Sequence, residues 1–127
     1  MHRWLLVAVT APALFFLLRS QVAAEGALSP AEVASWIKEK PSLQLVDVRT
    51  PGEYAAGHLP GAKLIPLQEI DHRLAEIDRT RPVLLYCHTG HRSARALEIL
   101  RDEGFPDAKH LAGGINAWKS AGLPVVR

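Results

Sequence analysis

The run Val83-Leu84-Leu85-Tyr86 passes at once into Cys87-His88-Thr89-Gly90-His91-Arg92-Ser93, and a helical pattern begins at Ser93-Ala94-Arg95. No other stretch constrains the fold as much. Four consecutive apolar residues read as a buried strand, so the chain must turn from strand to helix within a few residues. Such a turn aims the unpaired amides of the first helical residues, and the positive end of the helix dipole, at one point in space. Here that point is occupied by the only cysteine in the chain, so its own thiolate is the first anion to benefit, with a lowered pKa and raised reactivity. Gly90 suits a curl that requires positive φ. The alternative is a buried cysteine acting as a small hydrophobe, but His, Thr, Gly, His and Arg after it make a poor sequence for burial.

The 127 residues allow one domain with a real core, and 48% hydrophobic with 22% charged content is ordinary for a globular chain. Residues 1–24 read as a cleaved signal peptide: Arg3, an apolar run from Leu5 to Leu18, then Val22-Ala23-Ala24 at the cleavage site. The mature domain is then 25–127, beginning at Glu25, and its expected location is periplasmic or secreted. The apolar run is short of the ~20 residues that span a bilayer. Arg19 keeps an uncleaved anchor open as the alternative, and only through such a leader is the chain expected to meet a membrane. Of the 15 basic and 13 acidic residues, cleavage removes Arg3, Arg19 and no acid. The mature chain is therefore formally neutral, and without a basic run nucleic acid is not an expected partner. A single cysteine excludes an internal disulfide and dithiol redox work. Histidines at 2, 58, 72, 88, 91 and 110 show no ligand spacing, so neither a metal nor another cofactor is expected.

Along the mature chain, Ser29-Pro30-Ala31-Glu32 is a capping signal for a helix to about Lys40, ended by Pro41. Leu43 to Val48 reads as a buried strand, and Thr50-Pro51-Gly52-Glu53 repeats the capping signal for a short helix closed near Gly57. Lys63 to Pro66 is a brief strand. Ile70, Leu74 and Ile77 at helical spacing predict an amphipathic helix from Leu67 to Ile77. After the cysteine, a helix burying Ala94, Leu97 and Leu100 runs to about Gly104. Ala108 to Leu111 is a weak strand, and Gly114 to Ser120 a last helix with Trp118 in the core. Strands alternating with helices imply an open, mostly parallel α/β sheet with helices on both faces. Asp47-Val48-Arg49 and Cys87 both fall at the carboxyl ends of strands, where they could face one crevice.

Asp47-Val48-Arg49-Thr50-Pro51-Gly52-Glu53-Tyr54, Gly57-His58-Leu59-Pro60-Gly61-Ala62, the cysteine loop, and Leu111-Ala112-Gly113-Gly114 with Trp118 together resemble the rhodanese family. The resemblance covers Leu43 to Trp118. It implies a parallel sheet of about five strands, a Cys87 that carries sulfane sulfur as a persulfide cradled by loop amides, and a single-domain exported form similar to periplasmic thiosulfate sulfurtransferases. The expected partners are a small-molecule sulfur donor and acceptor, with an exported sulfur-acceptor protein as a further one.

The chemistry also follows from the residues: Cys87 attacks the outer sulfur of a donor such as thiosulfate, sulfite leaves, and cyanide or a thiol later removes the sulfur. The amides of His88, Thr89, Gly90, His91, Arg92 and Ser93 would hold the persulfide anion. Arg92 either binds the anionic donor or folds back to brace the loop through carbonyls. His88 and His91 either assist an anion when protonated or are solvated loop residues. Ser93 reads as the helix cap. Asp47 and Arg49 resemble the family's strand-end acid and base, holding the cysteine loop and its neighbours by buried hydrogen bonds, and Glu53 is expected to pair with Arg49. Some two-domain relatives place an arginine near the Glu53 position for thiosulfate, so an acid here removes one expected cation. Two other readings share these features: a small cysteine phosphatase or arsenate reductase, whose loop typically has five residues between Cys and Arg where this one has four, and a non-catalytic rhodanese-like sulfur-carrier or sensor module.

Overall fold

The computed structural model describes residues 26–127; the expected leader, 1–24, and the expected new N-terminus at Glu25 lie outside the described residues. In chain order the elements are β1 (Ala27–Leu28), α1 (Pro30–Glu39), β2 (Gln44–Asp47), α2 (Pro51–Ala56), β3 (Lys63–Leu64), two 3₁₀ turns (Leu67–His72 and Leu74–Glu76), β4 (Val83–Tyr86), α3 (His91–Asp102), β5 (Ala108–Leu111) and α4 (Gly114–Ser120). The five strands form one sheet in the order β1-β5-β4-β2-β3, with every pairing parallel. This is the α/β architecture expected from the alternation of strands and helices.

Central position explains the apolar run that announced β4. Its four residues are all buried, and because side chains alternate across a strand they feed two cores. Val83 and Leu85 pack with Val46, Ile70, Leu97, Leu100 and Phe105 on the face covered by α3 and the 3₁₀ turns. Leu84 and Tyr86 pack with Val33, Leu59, Ile115 and Trp118 on the face covered by α1 and α4. Burial on both faces is what a parallel sheet demands.

Both capping signals are realised. Ser29 Oγ accepts from the Glu32 amide while Glu32 accepts from the Ser29 amide, and Thr50 and Glu53 do the same for α2. The segment after β3 departs from expectation. Instead of one helix from Leu67 to Ile77, the chain makes two 3₁₀ turns broken at Arg73, whose φ of −124° stops a helix from continuing. Arg73 is fixed there by Glu69 and Glu76, and the break still lets Ile70 and Ile77 reach the core. The first strand, β1, carried no readable signal at two residues; it exists because the His110 and Ala112 amides reach the Gly26 and Leu28 carbonyls. Among the described residues no helix is long and apolar enough to cross a membrane.

Candidate active site

Cys87 follows β4 directly, and the loop that leaves it climbs over its sulfur. Gly90 adopts φ +113°, which lets its amide turn back and donate to Cys87 Sγ at 3.0 Å. The helix α3 therefore starts at His91, with Gly90 as a left-handed N-cap. This corrects the expected role of Ser93: it is not the cap but the third residue of the helix, fully buried, with its hydroxyl 3.5 Å from Cys87 Sγ. It also shifts the buried face of α3, which uses Ser93, Ala96, Leu97 and Leu100 and leaves Ala94 only half-buried.

The polar loop does not expose the cysteine, contrary to the expectation from sequence; Cys87 is only 1% exposed. The loop's polarity is spent inward as amides and outward as side chains. Burial pushes the thiol pKa up, but hydrogen bonds from the Ser93 hydroxyl and from the Ser93, Gly90 and Thr89 amides outweigh it and hold the pKa below its ordinary value. The site is thus a cradle of donors around a buried sulfur, which favours its thiolate form. His88, Thr89 and His91 are exposed on its outer surface. Their side chains face solvent while their backbone shapes the loop.

Arg92 takes neither of the two roles offered by the sequence in its simple form. Its guanidinium makes a two-pronged ion pair with Glu53, at 2.7 and 2.9 Å. Glu53 was expected on Arg49; instead one carboxylate caps α2 through Thr50 and holds Arg92 across the site. The Arg92 guanidinium draws the Glu53 pKa down to about 2, against the opposing effect of burial. The geometry is bidentate and about a third exposed on each partner, so a solvent-facing cation–anion clasp spans the loop and α2.

Asp47 and Arg49 do not converge on Cys87 in a shared crevice. Both are buried and pair with each other, with Arg49 Nη2 2.7 Å from Asp47 Oδ2. The free edge of the guanidinium donates to the Gly57 carbonyl at 2.6 Å and the rest lies over the Tyr86 ring. Tyr86 in turn accepts from the Leu59 amide and bonds Asp47; burial first, and the Asp47 charge second, push its hydroxyl pKa upward. The pair therefore locks the residue immediately before Cys87 to the turn after α2. Removing one partner of such a buried pair typically costs about 3–5 kcal/mol, because the other charge is stranded. His58 belongs to this scaffold as well, its Nδ1 2.8 Å from the Tyr54 carbonyl and its ring stacked on Tyr54.

The Gly113-Gly114 pair has a role that sequence alone did not specify. The Ile115 and Asn116 amides donate to the carbonyls of Cys87 and His88, at 2.9 and 3.1 Å, tying α4 to the base of the loop. A Cβ on Gly114 would lie 2.4 Å from the His88 carbonyl oxygen and 2.6 Å from that of Cys87, and the residue has φ +60°. Only glycine permits the approach. Sequence reasoning also missed His110 on β5, whose Nδ1 lies 2.9 Å from Ser93 Oγ; nothing in a lone histidine on a weak strand announces that contact. Among the described residues no group of three His, Cys, Asp or Glu side chains could hold a metal ion.

Comparison with known proteins agrees with this geometry. The model of the rhodanese-like domain matches residues 29–121. The chain belongs to the rhodanese-like family. It is 44% identical over 82 residues to a protein of Allochromatium vinosum named sulfurtransferase, covering 65% of this chain and 77% of that one. It is 43% identical over 101 residues, 78% of its length, to the probable adenylyltransferase/sulfurtransferase MoeZ of Mycobacterium tuberculosis, of which it spans only 26%. Among solved structures, a rhodanese-like domain protein from Staphylococcus aureus is 35% identical with a TM-score of 0.70, covering 80% of this chain and 98% of that one. A Rhodopseudomonas palustris protein described as of unknown function and a possible tyrosine phosphatase matches at 26% identity and a TM-score of 0.72, covering 84% of this chain and 89% of that one.

The close approach of α4 yields a direct expectation. Gly114→Ala should push α4 off the loop, lower the thermal midpoint, and slow alkylation of Cys87 at pH 7 by roughly tenfold or more, as expected for a rise of about one unit in the thiol pKa. Alkylation at the parent rate in this variant would mean that α4 does not set the loop.

Proposed function

We propose that the domain is a sulfurtransferase that moves a sulfane sulfur from thiosulfate, or a donor of the same kind, to a thiophilic acceptor such as cyanide or a thiol. The observation that carries this reading is the Gly90 amide 3.0 Å from a buried Cys87 Sγ whose pKa is lowered by loop hydrogen bonds. In the first half-reaction the thiolate forms an S–S bond to the outer sulfur of thiosulfate; that sulfur's bond to the sulfonate sulfur breaks, and sulfite leaves with the electron pair. Cys87 then carries a persulfide whose negative charge sits on the outer sulfur. In the second, cyanide forms a bond to that sulfur, the S–S bond breaks toward Cys87, and thiocyanate departs from the regenerated thiolate. Amides fixed by the fold stabilise the anion without having to reorganise. The relatives named sulfurtransferase support the same class.

Intact mass after incubation with thiosulfate should show gain of one sulfur, lost again on addition of cyanide, and Cys87→Ser should take up none while keeping its fold. Hydrolysis of an aryl phosphate without any sulfur gain would overturn this reading in favour of a cysteine phosphatase. The absence of both sulfur gain and hydrolysis would favour the non-catalytic sensor module, and sulfur gain that neither cyanide nor a thiol removes would favour the carrier.

The Glu53–Arg92 clasp bears on the donor. With Glu53 ionised down to about pH 2, the site presents little net positive charge to a dianion. Glu53→Gln releases the Arg92 cation, and the KM for thiosulfate should fall severalfold with kcat changed less, an effect that high salt should erase. A KM that stays or rises would assign Arg92 to bracing the loop alone.

We also propose that the chain works outside the cytoplasm, as a periplasmic or secreted enzyme whose partners include an exported sulfur-acceptor protein. The support is Arg3, the apolar run and Val22-Ala23-Ala24. N-terminal sequencing of the exported protein should begin at Glu25; an intact Met1 on membrane-bound protein would establish the anchor instead.

A further inference from the structure

The Ser93 hydroxyl has one proton and three neighbours able to receive it. His110 Nδ1 lies at 2.9 Å, the Gly90 carbonyl at 3.2 Å and Cys87 Sγ at 3.5 Å. The carbonyl can only accept, so the direction of the hydroxyl is decided by the protons on sulfur and on the imidazole. His110 sits on β5 on the face that carries Ala108 into the α3 core, and its backbone is fixed beside Leu85 and Ala27. Its ring is therefore presented to α3 at the level of Ser93.

We propose that His110 is a positioning residue of the active site, which orders the Ser93 hydroxyl beside Cys87 and receives, through that hydroxyl, the proton that the thiol gives up. The proposal rests on the sulfurtransferase reading for its purpose, since that reaction begins from the thiolate. Its geometry does not depend on the donor.

In the resting site the thiol donates to Ser93 Oγ and the hydroxyl donates to His110 Nδ1. Ionisation breaks the S–H bond and leaves its electron pair on sulfur. The released proton forms the new Ser93 O–H bond as the old one breaks, and the proton from that bond attaches to His110 Nδ1. The products are a thiolate, an unchanged hydroxyl and an imidazolium, with net charge conserved. The hydroxyl now points at sulfur, because Nδ1–H donates to its oxygen.

The surroundings leave the imidazole ready to accept. Burial, followed by the Arg101 charge, holds the His110 pKa below its ordinary value, which favours the neutral ring with a lone pair free for the hydroxyl. Arg101 is the charged group that α3 turns toward it; β4 leads to Cys87, and β1 offers only Ala27 and Leu28. On this proposal an imidazolium formed here has the Cys87 thiolate as its counter-charge across the Ser93 hydroxyl, and the two groups titrate as a pair.

The test is the pH profile of Cys87 alkylation by iodoacetamide in the parent, Ser93→Ala, His110→Asn, His110→Leu and the Ser93→Ala/His110→Leu double variant. Asparagine keeps a hydrogen-bonding atom near the Nδ1 position but cannot take up a proton. Each single variant should alkylate roughly tenfold more slowly at pH 7, with the midpoint raised by about one unit. The double variant should be no slower than Ser93→Ala, because both changes interrupt one chain. His110→Asn alkylating like the parent, or losses that multiply in the double variant, would overturn the proposal. If His110→Leu does not fold, His110→Asn and Ser93→Ala decide the matter. Sulfur uptake from thiosulfate, read by mass on the same samples, separates the two readings: a parent that shows the expected alkylation pattern but takes no sulfur sinks the transferase assignment alone, whereas sulfur uptake with no effect of His110→Asn on alkylation sinks the relay alone.

Discussion

Placing a thiolate at the end of a doubly buried strand is unfavourable unless donors meet it there. Here the Gly90 amide at 3.0 Å and the neighbouring loop donors do so. Almost everything around the site can be traced to holding that contact. The strand supplies the position, because β4 is central and cannot shift without disturbing both cores. The loop must then reverse within three residues, which requires the positive φ of Gly90. A reversed loop exposes the carbonyls of Cys87 and His88 on its underside, and these are satisfied by the first amides of α4. That requirement explains why Gly113 and Gly114 stand at the cap and first position of α4, far away in sequence from the cysteine.

The charged residues divide into an inner and an outer brace. Asp47 and Arg49 form the inner one, sealed beneath the turn after α2 and fixed to Tyr86, the residue before the cysteine. Their burial makes the pair costly to create and more costly to break, so the geometry it enforces is stiff. Glu53 and Arg92 form the outer brace, and its partial exposure makes it weaker and open to competition by an incoming anion. A stiff inner pair and a labile outer one suit a site that keeps its cradle rigid while its mouth exchanges ligands.

Much of this fold was legible because its signals are local. Ser29-Pro30-Ala31-Glu32 and Thr50-Pro51-Gly52-Glu53 specify their helices through contacts three residues apart, and Val83 to Tyr86 specifies a central strand through unbroken hydrophobicity. The Leu67 to Ile77 segment failed as a helix because the spacing of Ile70, Leu74 and Ile77 serves a chain bent at Arg73 equally well, and the bend depends on tertiary packing. In the site, Cys87 and Gly90 could be read from the turn chemistry. The partners of Ser93 and Glu53 could not, since His110 lies 17 residues from Ser93 and Arg92 lies 39 from Glu53. Pairing across such separations is decided by sheet order, which the local pattern does not encode.

Sheet order also explains why the two helices beside the cysteine do different work. Because β5 lies next to β4 on one side and β2 on the other, the loop after β4 is flanked by the end of β5 with α4 and by the end of β2 with α2. The β5 side contributes hydrogen bonds: the amides of Ile115 and Asn116 and the imidazole of His110. The β2 side contributes charge: Glu53, held on α2, against Arg92. The cysteine thus sits between a side that fixes hydrogen-bond direction and a side that sets potential. Substitutions on the first should act chiefly on how readily the sulfur ionises, whereas those on the second should act chiefly on which anions approach it, because hydrogen bonds work at contact around the sulfur while the partly exposed Glu53–Arg92 pair is what an anion from solvent meets first.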